Sequence, residues 1–246
     1  MDKLWKYIIF ASAIVLAAIV LSAAVTQRYR INNGTITVTG LGETEFTSDL
    51  ITVGGYIECE DVDAAVAYRN LEADRNRIVA FLASKGVKKE NISFNMPYTS
   101  ELTRPTYEND KYMGTQLVGY NISQSFTIES TDVDVTEAAA RELSSMIAEG
   151  IDIVVNNPMY YYSGLEDVKL SLLSAAAADA RERAKNIAES SGAMLGELKL
   201  SRAGVFQITA ATGDEEFSAG GSFNLSSREK KARVTVRSEF KIKTIK

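Results

Sequence analysis

The amino-acid sequence predicts an α+β protein with mixed, largely antiparallel sheets, helices packed on one face and a preceding N-terminal hydrophobic helix. Three observations predict this fold. Segments in which every second residue is apolar alternate with segments of helical spacing, which is typical of strands and helices. The order strand, helix, strand, strand occurs twice, at about residues 51–130 and 151–245. The composition, 46% hydrophobic and 24% charged, is that of a globular protein.

The residue counts exclude several kinds of chemistry. The 246 residues include no histidine, which excludes a Ser-His-Asp triad, an imidazole base and a histidine-containing zinc site. Cys59 is the single cysteine, which excludes an intramolecular disulfide and a multi-cysteine metal cluster. The formal net charge is −5, and an acidic protein repels nucleic-acid phosphates. We therefore expect no nucleic-acid partner, no metal and no cofactor.

Residues 1–30 form a separate N-terminal segment. No charged residue lies between Tyr7 and Gln27, and a helix that is apolar all round has no polar face to present to water. A run of about 20 apolar residues is long enough to cross the hydrocarbon core of a membrane. The membrane segment predicted on this basis includes Ile8, Ile9, Phe10, Ile14, Val15, Leu16, Ile19, Val20 and Leu21.

Two roles stay open for this segment, a retained membrane anchor and a cleaved secretory signal. Lys3 and Lys6 supply the positive start of a signal, and residues 22–24 are small enough for cleavage. The apolar stretch is longer than the usual signal core, which favours an anchor. In either case we expect the rest of the chain in the periplasm, anchored to the inner membrane or released after cleavage.

The domain that follows, residues 31–246, begins with two predicted strands and a helix. Residues 35–39 alternate between apolar and polar, and Gly40 and Gly42 then suggest a bulge or bend. Residues 62–85 have helical spacing, and Gly86 ends the helix as a left-handed cap. The second strand places four apolar side chains on one face: Ile51, Val53, Ile57 and Cys59. The helix turns three apolar side chains inward: Leu71, Ile78 and Leu82.

The middle of the domain contains a hairpin and a second helix. Residues 91–103 form a less regular strand, and the polar stretch between Arg104 and Tyr112 is interpreted as the hairpin loop. The next strand alternates cleanly except at Gln124. A capping box at residues 131–134 opens a helix that ends at Gly150. The apolar face of that helix carries Val135, Ala139, Leu143, Met146 and Ile147.

The last third repeats the order of elements. A strand over residues 151–163 precedes a helix from about Glu166 to Ser191, and strands over 198–210 and 232–245 complete the chain. We divide the domain into sub-units of about 35–130 and 151–245. The predicted inward stripe of the helix, mostly alanine, allows another backbone to approach closely. It consists of Leu173, Ala177, Ala180, Ala184 and Ile187.

The chain resembles the SIMPL-domain family, whose bacterial members include periplasmic immunogenic and outer-membrane-associated proteins. The similarity rests on the order and spacing of several motifs over about 200 residues. These are the run from Ile36 to Gly42 followed by Asp49, Gly86-Val87 with Ile92, Pro97-Tyr98, Gly119-Tyr120, and the alanine-rich helix from Ala175 to Ala188 followed by Gly192 and Gly196. One departure is Ser48, since family members often carry proline at that position.

The resemblance implies an α+β fold, export to the periplasm and, in some members, assembly into large rings. Members are linked loosely to oxidative-stress tolerance and signalling. The family has no agreed catalytic residues, so the resemblance assigns no catalytic, cofactor-binding or metal residue to this chain.

Three candidate sites are better explained as ordinary structure. Cys59 lies between Glu58 and Glu60 on an apolar face, and both burial and negative charge oppose thiolate formation. The acidic cluster at residues 214–216 lacks the alternate spacing of a calcium loop, which favours a solvated loop. Gly40 and Gly42 lack the third glycine and the following helix of a dinucleotide site.

Two further groups form a candidate interaction surface. Tyr160, Tyr161 and Tyr162, with other tyrosines nearby, could stack on a ligand or a subunit, although tyrosine is also common on sheet faces. The basic cluster before the last strand could organise an interface, or it could protect an edge strand from unwanted pairing. The cluster consists of Arg228, Lys230, Lys231 and Arg233, and the candidate interaction surface takes Arg228, Lys230 and Lys231 from it.

The function expected from the sequence is that of a non-catalytic envelope protein of the SIMPL type, which forms a homo-oligomer. The alternative is a monomeric periplasmic binding module for a small molecule or peptide. A hydrolase that uses carboxylates is the least favoured, because no pair can be assigned from the sequence.

Overall fold

The structure is a computed structural model of the whole chain. It describes the backbone of residues 2–31, 34–212 and 218–244, and the side chains of these residues except 2–4, 6–10, 26–31 and 244. The α-helices among these residues are α1 (Asp2–Ile31), α2 (Ala64–Ser84), α3 (Val133–Leu143) and α4 (Leu165–Ser190). The strands among these residues are β1 (Thr35–Thr47), β2 (Leu50–Asp61), β3 (Ile92–Phe94), β4 (Tyr98–Glu108), β5 (Lys111–Ser130), β6 (Asp152–Val155), β7 (Met159–Tyr161), β8 (Ala193–Ala203), β9 (Gln207–Ala210), β10 (Ser222–Phe223) and β11 (Glu229–Thr244).

The N-terminal hydrophobic helix expected from the sequence is present as α1. Its described side chains, at Trp5 and residues 11–25, are all exposed. Within the described part of the chain, no helix combines the length and hydropathy needed to cross a membrane. This finding corrects the prediction of a transmembrane helix. Of the residues that carried it, Ile8, Ile9 and Phe10 have side chains outside the described set, and Ile14, Val15, Leu16, Ile19, Val20 and Leu21 are exposed.

By its contacts, the chain divides into two compact units, and each unit is assembled from separate stretches. The first unit contains residues 1–43, 170–205 and 234–246. The second contains residues 44–169 and 206–233. The chain passes from one unit to the other within β1, α4 and β11 and in the connection between β8 and β9.

The second unit is built on a six-stranded sheet in the order β3-β5-β2-β6, with β4 added to β5 and β7 to β2. All of these pairings are antiparallel. The central ladder joins β2 to β5 from the pair Ile51 and Ser130 to the pair Asp61 and Tyr120. Helices α2 and α3 pack on this sheet, which confirms the α+β fold with largely antiparallel sheets.

The core of the second unit follows the predicted periodicity. On β2, Ile51, Val53 and Ile57 are fully buried, as expected from their alternation. The predicted inner face of α2 is also buried: Leu71, Ile78 and Leu82. Gly86 follows α2 with a φ of +93°, the left-handed conformation that its position predicted.

Two predictions for the helix α3 are corrected. The predicted capping box begins at Thr131, but Asp132 is the residue that caps α3, and its carboxylate accepts from the backbone N–H of Val135 at 3.3 Å. Ile147 is predicted on the buried face of this helix but is exposed, because the chain changes to a tighter 3₁₀ helix after Leu143.

Gln124, the polar residue that interrupts the alternation on β5, is buried, and its amide donates to the carbonyl of Asn95 at 2.7 Å.

The first unit packs a strand directly on a helix. Strand β1 runs without a break through Gly40 and Gly42, so the predicted bend is wrong. A Cβ at Gly40 would lie 2.1 Å from the carbonyl oxygen of Ala176, and one at Gly42 would lie 2.3 Å from that of Leu172. The glycines are there because the strand backbone contacts α4, as the alanine-rich face allows.

The buried stripe of α4 differs from the predicted one by about one residue at each end. The predicted members Leu173, Ala177 and Ile187 lie outside it, and Ile187 is half-exposed. The observed stripe recurs at every fourth residue, which is one of the rows along which side chains line up on a helix surface. It consists of Leu172, Ala176, Ala180, Ala184 and Ala188.

The remaining strands pair through β11. In the first unit, β11 pairs antiparallel with β8, with Val236 opposite Ala203. In the second unit, residues 230–233 of β11 pair antiparallel with β9, and β9 pairs in parallel with the short strand β10. This parallel pair makes the sheet mixed, as predicted.

Candidate functional site

The predicted tyrosine surface is only partly exposed. Tyr160 is buried, with 7% of its surface accessible, and burial is the main cause that raises the pKa of its hydroxyl, followed by the charge of Glu137. Tyr161 and Tyr162 are half-buried. The ring of Tyr162 lies 4.8 Å from that of Phe46, centroid to centroid. The three tyrosines therefore contribute mainly to packing. The burial of Tyr160 corrects the prediction that it belongs to an interaction surface.

The basic cluster is also held within the chain. Lys230 is 1% exposed, and its Nζ donates to the carbonyls of Asn224 and Ser227 at 2.6 and 2.7 Å, so Lys230 is corrected from a surface to an interior residue. Lys231 pairs with Glu45 at 3.1 Å. The contacts of Lys230 join the segment before β11 to the start of that strand, and the pair of Lys231 joins β11 to β1, so both residues have a structural role.

Arg228 lies beside the N-terminus of α3. Its guanidinium donates to the carboxylate of Asp134 and lies 4.0 Å from that of Glu137. The hydrogen bond from Arg228 is the main cause that holds the pKa of Asp134 below its usual value. Because the charge of Arg228 is already balanced by Asp134, this arginine is not a free cation.

A polar cavity of about 610 Å³ opens next to Arg228. It lies between the turn that joins β1 to β2, the connection after α2 and the first turn of α3. Asp49, at the turn, accepts from the backbone N–H of Ser163 at 2.8 Å, and from its hydroxyl as well. The cavity brings together residues that are far apart in the sequence.

Three polar atoms of residues that line this cavity have no hydrogen-bond partner among the described residues. They are Ser48 Oγ, Thr136 Oγ1 and Arg228 Nε. Sequence reasoning singled out only Arg228. Thr136 carried a detectable signal, because it lies on the inner face of α3 among Val133, Ala140 and Leu143. At Ser48 the sequence signal was that this chain has serine where members of the family it resembles often have proline.

The hairpin of β4 and β5 forms an arm, which we define as residues 102–118. Asn109 and Asp110 have φ values of 48° and 63°, as in the two-residue turns that join paired strands. The predicted hairpin is therefore confirmed, but its loop is much shorter than the predicted stretch between Arg104 and Tyr112, because both strands continue to this short turn. Strand β2 leaves β5 at Tyr120, so over the described residues the arm has only its own two strands.

The arm exposes five large apolar side chains. The rings of Tyr107 and Tyr112 lie 5.9 Å apart across the two strands, and both are exposed. The charged side chains of the arm, Arg104, Glu108, Asp110 and Lys111, include both signs equally. The exposed large apolar residues of the arm are Tyr107, Tyr112, Met113, Leu117 and Val118.

Cys59 is poorly suited to nucleophilic chemistry. Burial first, and then the charge of Asp74, raises the pKa of its thiol to about 12. The thiol donates to Asp74 Oδ2 at 3.5 Å, and Asp152 adds negative charge. The carboxylates that act on Cys59 are therefore Asp74 and Asp152 rather than its sequence neighbours. The acidic cluster at residues 214–216 lies outside the described residues.

We expect Cys59 to react with iodoacetamide at pH 9 more than about a hundredfold more slowly in the native chain than in the unfolded chain. The reason is that burial raises the pKa of the thiol from its ordinary value of 9.0 to about 12, and only the thiolate is the nucleophile. Since the folded pKa is the higher one, the resulting stabilisation is lost as the pH rises from 9 towards 12. Mass spectrometry of the alkylated chain measures both rates. Asp74→Asn should speed the native reaction, and equal rates in native and unfolded chains would contradict the assignment.

Comparison with known proteins gives one family and several distant structures. A family model described as SIMPL, protein of unknown function (DUF541), matches residues 36–240. No curated protein matches the sequence.

Among solved structures, the chain is similar to the de novo designed protein Foldit4, with 10% identity over 43% of this chain and 93% of that one and a TM-score of 0.22. It is also similar to a hydantoinase/carbamoylase family amidase from Burkholderia ambifaria, with 11% identity over 48% of this chain and 28% of that one and a TM-score of 0.24. An amidase of the same family from Burkholderia phymatum has 10% identity over 53% of this chain and 32% of that one, with a TM-score of 0.24. The chain spans 28% and 32% of the two amidases, and similarity this low carries no argument.

Proposed function

The chain belongs to the SIMPL family, whose function is unknown, and from that premise we propose that it is a non-catalytic protein of the cell envelope that assembles with further copies of itself. Export is supported by the sequence, because Lys3 and Lys6 precede an apolar run in the manner of a secretory leader. A non-catalytic role is supported by the lack of histidine in the sequence and by the protonated state of Cys59.

The arm is the single feature that carries the proposal of assembly. A two-stranded hairpin is marginally stable in water, and it normally needs a further strand or a packed face. Here residues 102–118 expose apolar side chains and are paired with no third strand among the described residues. An exposed strand edge is a template for pairing with another chain.

A second copy of the chain is the partner that best fits the arm. The arm carries two basic and two acidic side chains, Arg104 and Lys111 with Glu108 and Asp110, so two arms can pair opposite charges. Pro105 lacks a backbone N–H, which makes β5 the better edge for strand addition. Two arms that pair in this way would bury the apolar residues of both.

We expect the full chain to be multimeric at high micromolar concentration and the double variant Met113→Glu, Leu117→Lys to have the monomer mass of 26.9 kDa. The introduced charges would have to be buried in the interface, which is costly. Light scattering after size-exclusion chromatography measures the mass directly.

A matched control is the double variant Ile147→Glu, Leu170→Lys, which introduces the same charges outside the arm. Ile147 and Met113 are both 58% exposed, so the two glutamates replace equally accessible side chains. The control should remain multimeric. The proposal fails if the unaltered chain is a monomer, or if the arm variant and the control have the same mass.

The alternative function, a monomeric binding module, relied on a tyrosine-rich face. Tyr160 is buried and Tyr162 packs on Phe46, so this face offers little surface for stacking on a ligand. We therefore do not place ligand binding on the tyrosines.

A further inference from the structure

The polar cavity beside Arg228 has the size of a small-molecule site. Its volume of about 610 Å³ lies within the range of about 300–1,000 Å³ that is usual for such sites. It belongs entirely to the second unit, and it is separate from residues 102–118. A ligand bound there would act in addition to assembly through the arm.

Two side chains that line the cavity are buried with an unused hydroxyl. Ser48 is 3% exposed and Thr136 is 1% exposed, and neither hydroxyl has a hydrogen-bond partner among the described residues. A buried polar group without a partner is costly, and native proteins contain few of them. Here two of them, at positions 48 and 136, belong to residues that line one cavity, which points to a molecule that completes their hydrogen bonds.

Arg228 adds a hydrogen-bond donor of fixed direction. Its Nε is buried and has no partner among the described residues, whereas its terminal nitrogen is used by Asp134. An arginine Nε–H can only donate, whereas hydroxyl groups can donate and accept. The ligand therefore needs at least one acceptor, and groups that donate and accept suit Ser48 and Thr136 best.

The charges around the cavity select against an anion. Four acidic residues line it, against the two basic residues Lys88 and Arg228. The acidic residues are Asp49, Glu90, Asp132 and Asp134. A phosphate or carboxylate would be repelled, because the charge of Arg228 is already balanced by Asp134. Carboxylates are, however, good acceptors for the hydroxyl groups of a neutral ligand.

We propose that this cavity binds a neutral carbohydrate of the size of a mono- or disaccharide. Sugar hydroxyls both donate and accept, so they can pair with Ser48 and Thr136 and accept from Arg228. A peptide is less suitable, because valine is the only bulky apolar residue type in the lining and apolar side chains would find little contact.

The experiment is saturation-transfer NMR and calorimetry on the full chain with maltose, trehalose and N,N′-diacetylchitobiose. Glucose 6-phosphate tests an anion, and glycylglycine tests a peptide. We expect at least one of the neutral sugars to bind and to lose affinity by about tenfold or more in the double variant Ser48→Ala, Thr136→Val, because two hydrogen bonds are removed. Ser238→Ala is the matched control, since Ser238 is buried but pairs with Ser201 at 3.1 Å in the other unit. The control should bind the sugar as the unaltered chain does.

The unliganded variants provide a second readout. Because Ser48→Ala and Thr136→Val remove hydroxyls without partners, the melting temperature of each should equal or exceed that of the unaltered chain. Ser238→Ala should lower it. The proposal is overturned if none of the three neutral sugars binds and the cavity holds water only, if the anion or the dipeptide binds more tightly, or if the double variant binds as the unaltered chain does.

Discussion

Replacing Gly40 by alanine is expected to destabilise the protein by about 3 kcal/mol, since inserting a group into a packed contact forces the surrounding backbone to shift. The added Cβ would lie 2.1 Å from the carbonyl oxygen of Ala176 and 2.4 Å from the backbone nitrogen of Ala180. Both of these atoms belong to the backbone of α4, so no side-chain rotation can relieve the contact. The strand and the helix would have to separate.

A separation of this kind would also break a polar contact at the same place. The backbone N–H of Leu41 donates to Asp179 Oδ2 at 2.8 Å, and Asp179 pairs with Arg183 at 2.8 Å. The donation from Leu41 is the first cause that lowers the pKa of Asp179. The contact of β1 with α4 therefore combines close backbone packing with one hydrogen bond from the strand to the helix.

The measurement is thermal unfolding of both forms followed by circular dichroism. A loss of about 3 kcal/mol corresponds to about 6–12 °C in melting temperature for a chain of this size. Gly54→Ala is the control, because its Cβ would lie 3.5 Å from Asn156 Nδ2, an ordinary contact, and its effect should be small. If Gly40→Ala and Gly54→Ala melt alike, β1 does not contact α4 as described.

Phe126→Ala is expected to cost about 3–5 kcal/mol, the usual range for removing a large aromatic side chain from a core. Phe126 is 1% exposed and lies at the centre of the six-stranded sheet, opposite Gly55 of β2 and Phe94 of β3. Its ring lies over Gly55, where a Cβ would be 2.5 Å from Phe126 Cζ. No neighbouring side chain at Gly55 can fill the space that the ring would leave.

Urea unfolding monitored by tyrosine and tryptophan fluorescence measures this loss. Phe223→Ala makes the same change at an exposed ring of β10 and should cost less than about 1 kcal/mol. A loss at Phe126 as small as that at Phe223 would show that the ring is not part of the core.

The elements with a strong period were predictable. The inner faces of β2 and α2 follow from the spacing of Ile51, Ile57, Leu71 and Ile78, because each side chain direction is set by local geometry. The left-handed cap at Gly86 was predictable for the same reason. These features depend on residues within a few positions of one another.

The turn at Asn109 and Asp110 shows where local reasoning was insufficient. A polar stretch with proline resembles a loop, yet both strands of the arm pair across it to a two-residue turn. Gly40 and Gly42 suggest a bend when only their sequence neighbours are considered. The residues that they contact, Ala176 and Leu172, lie at least 130 positions further along the chain, so the sequence does not show this contact. The stripe of α4 was displaced for the same reason.

The candidate site was the least predictable part. Arg228 was selected for its charge, but its partner Asp134 and the nearby Thr136 lie more than 90 residues away in the sequence. Lys230 and Tyr160 were assigned to a surface and are buried. A polar residue on an apolar helix face, as at Thr136, is a signal that could have directed attention to the cavity.

The residue counts therefore exclude imidazole chemistry and an intramolecular disulfide, and periodicity indicates the class of fold. The order and spacing of several motifs carry the family resemblance. The tertiary structure decided which glycines contact a helix, which basic side chains are buried, and which residues with unpartnered hydroxyls line the same cavity. The physical reason is the range of the interactions. Periodicity records whether a side chain faces a core, whereas hydrogen bonding and close approach depend on partners that the chain brings together only when it folds.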